Sequence, residues 1–188
     1  MEKRHRIFVA INLPEDIKKQ LFSYSEKWPE FQAKWTAEDN LHITLEFLGD
    51  LTDQEIGDVC CVVKEVAERH ECFDLSVNKI LYGPPEKIPP HMIWVEGERS
   101  KELSALRGDL EKSLTGRVAF IPENRVFAPH ITLARIGAWA WRQINPEERP
   151  EVNEILDLVF TVESIEVMES ILKRRGPQYT ILESHSLS

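Results

Sequence analysis

Long apolar runs are missing from this sequence. None exceeds five residues, as in Val59-Cys60-Cys61-Val62-Val63, whereas a membrane-spanning helix needs about 20. Cysteine is scarce as well: three in 188 residues, two of them adjacent, with no Cys-x-x-Cys spacing. That leaves no basis for a disulfide framework or a cysteine metal knuckle, and predicts reduced, mostly packed thiols in a cytoplasmic protein. Positive charge is in deficit, 23 Lys and Arg against 32 Asp and Glu, for a net charge of −9. Such a balance argues against a long groove tracking many phosphates, though not against one small anion in a local pocket. Low-complexity stretches and long linkers are absent. The opening MEKRHRIFVAINLPED has a basic head and a short apolar stretch but no small-residue cleavage site, so it reads as a first strand and not a leader.

What is present is ordinary globular material. With 42% hydrophobic and 29% charged residues, 188 positions suffice for one domain with a useful core. Residues 6–13 are rich in β-formers, and 14–27 has apolar residues at helical spacing behind Pro14, which suits a first helical position. Residues 40–48 predict a strand closed by Gly49-Asp50. Thr52 with Glu55 is a capping-box pattern that predicts a helix over 53–69. Strands follow at 73–82 and 91–97, with a Pro-rich stretch between them. A helix capped by Ser100 runs to Leu114, and another strand covers 129–136. A loop spans 137–150, and strands are expected at 158–169 and 178–183.

The order contains a duplication. RIFVAINLPEDIKKQL (6–21) and MIWVEGERSKELSAL (92–106) each run strand then helix, and each precedes a strand carrying His-Ile-Thr-Leu. Phe8 lies 34 residues before His42, and Trp94 lies 36 before His130. The predicted fold class is α+β: two pseudo-symmetric lobes, each an antiparallel sheet with helices on the outer face, and a cleft between the lobes. Residues 1–188 form a single two-lobed domain on this reading. A doubly wound parallel sheet is the alternative; the alternation through 158–169 favours antiparallel pairing.

The repeated motifs, His42-Ile43-Thr44-Leu45 and His130-Ile131-Thr132-Leu133, are the informative feature. Six His and seven Thr predict about 0.2 His-x-Thr by chance. Side chains at i and i+2 share a strand face, so His42 and Thr44 point one way and Ile43, Leu45 and Phe47 the other. His130 and Thr132 repeat this, with Ile131 and Leu133 opposite. If the lobes face each other, two imidazoles and two hydroxyls converge. Two imidazoles near neutral pH suit a proton taken from an attacking oxygen and another given to a leaving oxygen. Two threonine hydroxyls can hold the phosphoryl oxygens between them. Two other readings compete: half-buried histidines satisfied by a carbonyl or water, and a zinc site of His42, His130 and Glu46. No metal-ligand spacing supports the second, so no metal or cofactor is expected.

These residues give the chain its resemblance to a known family. It resembles the two-histidine phosphoesterases, in particular the RNA 2′,3′-cyclic phosphodiesterases formerly called 2′-5′ RNA ligases. The likeness runs through Arg6–Ile11, LHITLEFLG (41–49), FAPHITLAR (127–135), Glu169–Leu172 and Gly176-Pro177-Gln178-Tyr179. It implies hydrolysis of an RNA terminal 2′,3′-cyclic phosphate to a 2′-phosphomonoester, with His42 as proton donor, His130 as proton acceptor, and Thr44 and Thr132 on the phosphate. RNA ends or short oligonucleotides are the implied partners. No membrane or obligate protein partner is evident. The alternatives are a phosphodiesterase or ligase acting on 2′-5′ linkages or small cyclic nucleotides, and a non-catalytic module that binds RNA ends.

Three further residues are substrate-binding candidates. Arg135 falls where the family has a phosphate-contacting arginine. Strict alternation puts it on the face opposite His130, five residues away, so either the strand bulges or ends near Ala134, or Arg135 is a surface residue. Phe47 stands at the same offset from His42, and base stacking competes with a core role there. Tyr179 is a candidate stacking residue at the cleft mouth or a packed tyrosine. Elsewhere, His5 reads as an exposed residue near the terminus, and Lys173-Arg174-Arg175 as a solvated turn able to steer an anion. Trp139 and Trp141 read as cover for the lobe junction or as base-stacking rings.

Overall fold

The structure is a computed structural model that describes residues 3–29, 33–118, 120–122, 126–174 and 176–188. In chain order it contains β1 (His5–Asn12), α1 (Glu15–Ser23), β2 (Ala33–Trp35), β3 (His42–Leu51), α2 (Asp53–Ala67), β4 (Phe73–Gly83) and β5 (Met92–Gly97). There follow α3 (Lys101–Leu114), β6 (His130–Ile136), α4 (Ala138–Gln143), β7 (Asn153–Val162), β8 (Ser164–Lys173) and β9 (Gly176–Ser186). The α2 helix starts at the expected capping box: Thr52 Oγ1 accepts from the Glu55 amide at 3.3 Å, and Glu55 Oε2 accepts from the Thr52 amide at 2.7 Å. Ser100 caps α3 through the Leu103 amide.

The fold is α+β, with the strands in one antiparallel sheet of order β7-β4-β5-β6-β3-β1-β8-β9 and β2 added beside β6. One half is β7-β4-β5-β6, the other β3-β1-β8-β9. They meet where Ile43 of β3 pairs with Ile131 of β6. In each half the third long strand comes from the other repeat: β4 joins β5, and β8 joins β1. Only Glu163 separates β7 from β8, yet these strands lie towards opposite ends of the strand order. One residue spans a few ångströms at most, so the sheet must curl back on itself. The closing end is tied by Leu187 N to Glu163 O at 2.8 Å and by Ser188 N to His70 O at 2.8 Å.

The long helices α2 and α3 cover one face of the sheet. Ile7, Val9 and Ile11 of β1, Ile43 and Leu45 of β3, and Ile131 and Leu133 of β6 share one buried cluster with residues of these helices. The helical members include Val59, Val62, Val63 and Val66 of α2, and Leu103, Leu106, Leu110 and Leu114 of α3. Full burial of each such side chain contributes about 1.5–3 kcal/mol. The opposite face carries a small separate cluster of Phe8, Ala10 and Met168 with Tyr179.

Several expectations change. The strand expected at 158–169 is two strands broken at Glu163, because its halves pair with different ends of the sheet. The loop expected at 137–150 contains α4, and its Trp141 is buried against Tyr82 while Trp139 is exposed. Only Cys60 is packed; Cys61 and Cys72 are exposed. His5 is part-buried, with Nδ1 2.6 Å from Glu169 Oε1 and Nε2 3.2 Å from Asp53 Oδ1. Arg175 lies outside the described residues. Among the described residues, no helix is long and apolar enough to cross a membrane.

Candidate active site

The two His-x-Thr strands are neighbours at the seam of the curled sheet. Antiparallel pairing at Ile43 and Ile131 sets His42 across from Thr132, and Thr44 across from His130, all on the face turned away from α2 and α3. The two histidines are therefore diagonal neighbours, a relation that spaces residues about 7–8 Å apart with Cβ atoms somewhat closer. That gap admits one tetrahedral group between two side chains reaching inward.

Both imidazoles are anchored alike. His42 Nδ1 lies 2.7 Å from the Asn40 carbonyl, and His130 Nδ1 lies 2.8 Å from the Ala128 carbonyl. A carbonyl only accepts, so each Nδ1 carries a proton and each Nε2 is the nitrogen that can exchange one. Thr44 Oγ1 is 3.0 Å from His42 Nε2 and donates to it when the imidazole is neutral. The His42 pKa is pulled down to about 4, first by burial and further by His130, Arg135 and Lys18; the Asn40 carbonyl opposes the shift.

The offset-five residues are settled by two matching β-bulges. Between β1 and β3, Val9 pairs with Glu46 and Ala10 with Thr44, leaving Leu45 without an opposite residue. Between β5 and β6, Ile93 pairs with Ala134 and Trp94 with Thr132, leaving Leu133 in the same position. Each extra residue reverses the alternation after it. Phe47, 55% exposed, and Arg135 thus turn onto the face of the histidines instead of the opposite one. The same bulge sends Glu46 to the core side, where it is 3% exposed and pairs with Arg107 Nη2 at 2.8 Å. A metal set of His42, His130 and Glu46 is not assembled.

Aromatic rings wall the first half of the cleft. Phe8 lies 5.1 Å from His42, 6.0 Å from Phe47 and 5.2 Å from Tyr179, by ring centroids. Tyr179 stands edge-on to His42 at 5.1 Å. On the second half, Trp94 is 4.1 Å from His130, a neighbour that sequence reasoning uses only as a spacing marker. Gly83 makes room for it, since a Cβ there would come within 2.3 Å of the indole. Register also corrects the internal alignment. Met92 pairs with Arg135 as Phe8 pairs with Phe47, so Phe8 corresponds to Met92, and Trp94 to Ala10. The pairing of Phe8 with Trp94 by sequence spacing is two residues out of step.

A curled antiparallel sheet with paired His-x-Thr strands at its seam defines the class: a two-histidine phosphoesterase. The LigT like phosphoesterase family matches the chain twice, over residues 11–94 and 95–179. The chain belongs to that family. An RNA 2′,3′-cyclic phosphodiesterase of Thermus thermophilus is 33% identical over 97% of this chain and 90% of its own length. One from Thermotoga maritima is 28% identical over 94% and 92%. A crystal structure of a Thermus thermophilus protein superposes with a TM-score of 0.84, at 28% identity and 97% coverage of both chains.

Proposed function

We propose that this protein hydrolyses the 2′,3′-cyclic phosphate at an RNA end to a 2′-phosphomonoester. The observation that carries the reading is the matched pair of Nδ1-anchored histidines, each with a threonine beside it, meeting diagonally across one seam. The names of the curated relatives support the substrate class.

The phosphate sits between the strands, its non-bridging oxygens held by the hydroxyls of Thr44 and Thr132 and by Arg135. His130 Nε2 takes a proton from water, and the oxygen attacks phosphorus in line. The bond from phosphorus to O3′ breaks, and His42 Nε2 gives its proton to O3′. One water is consumed, and a 2′-phosphate and a 3′-hydroxyl remain. His42 is neutral in the free protein near pH 7, because its pKa is about 4. The bound anion is what raises it and loads the donor. Phe47 and Tyr179, both packed against the buried Phe8, offer ring faces and edges to the terminal base. The two repeats act as one unit, since each supplies one histidine. Unpaired thiols fit a cytoplasmic location.

The test is an RNA oligonucleotide ending in a 2′,3′-cyclic phosphate, incubated with chelator and resolved against 2′- and 3′-phosphate standards. Gain of one water with a 2′-phosphate product is expected, reduced by about 10²–10⁴ in His42→Ala and His130→Ala. Unchanged RNA would overturn the reading. A 3′-phosphate product would exchange the leaving oxygen and so reverse the assignment.

A further inference from the structure

Beyond the catalytic face, a cavity of about 370 Å³ is lined by Pro84, Lys87, His91, Met92, Arg135 and Ile136. Among the described residues no carboxylate lines it, in a chain whose net charge is −9. Its position is built by backbone contacts: Lys87 N donates to Pro84 O at 3.0 Å, and Ile136 N donates to His91 O at 2.8 Å, holding the Pro-rich turn against β6. Arg135 joins it to the cleft. The Leu133 bulge turns Arg135 onto the catalytic face, while its Nη1 lies 3.5 Å from Met92 Sδ in the cavity wall. Lys34 pairs opposite Arg135 on β2 and extends the positive surface on the far side.

Resting on the reading of the cleft as an RNA-end site, we propose that this cavity is a subsite for a second phosphate, the one on O5′ of the terminal nucleotide, with Lys87 and His91 as its ligands. Its position fits. Arg135 lies two pairing steps, about 7 Å along the strand, beyond Thr132, because the bulge absorbs one residue. Lys87 and His91 line the cavity with Arg135, so an anion on them adjoins the phosphate that Thr132 and Arg135 hold, on the side away from the seam. Elsewhere the acidic surface repels a polyanion, so a local cationic cavity beside the cleft selects where the chain runs. A linear acidic peptide would meet the same charges but has no group to place between the histidines.

The experiment compares three substrates that share one base: a nucleoside 2′,3′-cyclic phosphate with a 5′-hydroxyl, the same with a 5′-phosphate, and a dinucleotide ending in the cyclic phosphate. The second and third should exceed the first in kcat/KM by about tenfold. Their dependence on salt should be steeper by roughly 0.7 in log–log slope. In Lys87→Ala/His91→Ala the ratio should fall to about one. A ratio unchanged by the double variant, or no preference in the parent protein, overturns the subsite. Calorimetric binding of the 2′-phosphorylated products, with and without the 5′-phosphate, needs no turnover. Preference in binding without hydrolysis of any substrate would keep the subsite and remove the hydrolytic reading. Hydrolysis without preference would do the reverse.

Discussion

The ring of Tyr179 stands perpendicular to the imidazole of His42, with planes at 89°. Asn40 ties the two together. Its side-chain Nδ2 donates to Pro177 O at 2.9 Å, its Oδ1 accepts from the Tyr179 amide at 3.4 Å, and its main-chain carbonyl accepts from His42 Nδ1. One residue therefore positions both the imidazole and the hairpin that packs on it. Asn40→Ala should lower kcat by about ten- to a hundredfold through misplacement of His42. Steady-state kinetics beside a melting curve checks this. A lower Tm with unaltered kcat would reduce Asn40 to a structural tie.

Anion binding should be linked to proton uptake at His42. The free imidazole titrates at about 4, and a phosphate beside it favours the charged form, so the pKa rises in the complex. Between the free and bound values, binding takes up a proton, and affinity weakens as pH rises through that window. Calorimetry of a 2′-nucleotide in buffers of different ionisation heat measures the uptake. The signal should vanish in His42→Ala; uptake persisting there would place the proton elsewhere.

The same residue shapes stability. His42 titrates near 4 in the folded protein, against an ordinary value of 6.5. Between these values the unfolded chain binds the extra proton, so stability rises with pH across the window and is lost as pH falls. His42→Gln should therefore show a smaller loss of Tm between pH 7 and pH 5 than the parent protein. Equal slopes would mean that other groups govern acid unfolding.

Glu46, 2% exposed, pairs behind the catalytic strand with Arg107, which is 15% exposed. Without Glu46, Arg107 keeps Glu111 Oε2 at 2.7 Å, so the cost is the lost pair and not a bare buried charge. Glu46→Ala should destabilise the fold by about 1–3 kcal/mol, whereas Glu46→Met with Arg107→Leu should recover most of it. Denaturant unfolding measures both. The kcat of the folded fraction should remain that of the parent, since Glu46 points away from the cleft; a specific loss of kcat would reopen a role for it there.

Strand parity places His42, Thr44, His130 and Thr132 together because alternation holds over three residues. It fails at Phe47 and Arg135, where one extra residue reverses the count. Leu45 and Leu133 carry no mark of a bulge, being apolar residues in apolar strands. The available signal is the repetition: after identical His-Ile-Thr-Leu motifs, both strands place a cleft candidate at the same impossible offset. The break at Glu163 is hidden for a related reason. Alternation runs straight through it, and only the curl of the sheet separates the two strands. The curl itself is a tertiary property that no local pattern encodes. Trp94 is visible as a residue but not as a neighbour of His130, since a misaligned repeat pairs it with Phe8.

The seam between β3 and β6 has a mechanical consequence. The opposed imidazoles are not brought together by a hinge or a closing loop; they flank, on opposite sides, the Ile43–Ile131 pair that joins β3 to β6. Strand separation, about 4.8 Å, combined with the two-residue stagger along the strands, is the gauge that sets the width of the catalytic jaws. A substrate of the right bore is gripped on arrival, and preorganisation is a property of the backbone rather than of a motion.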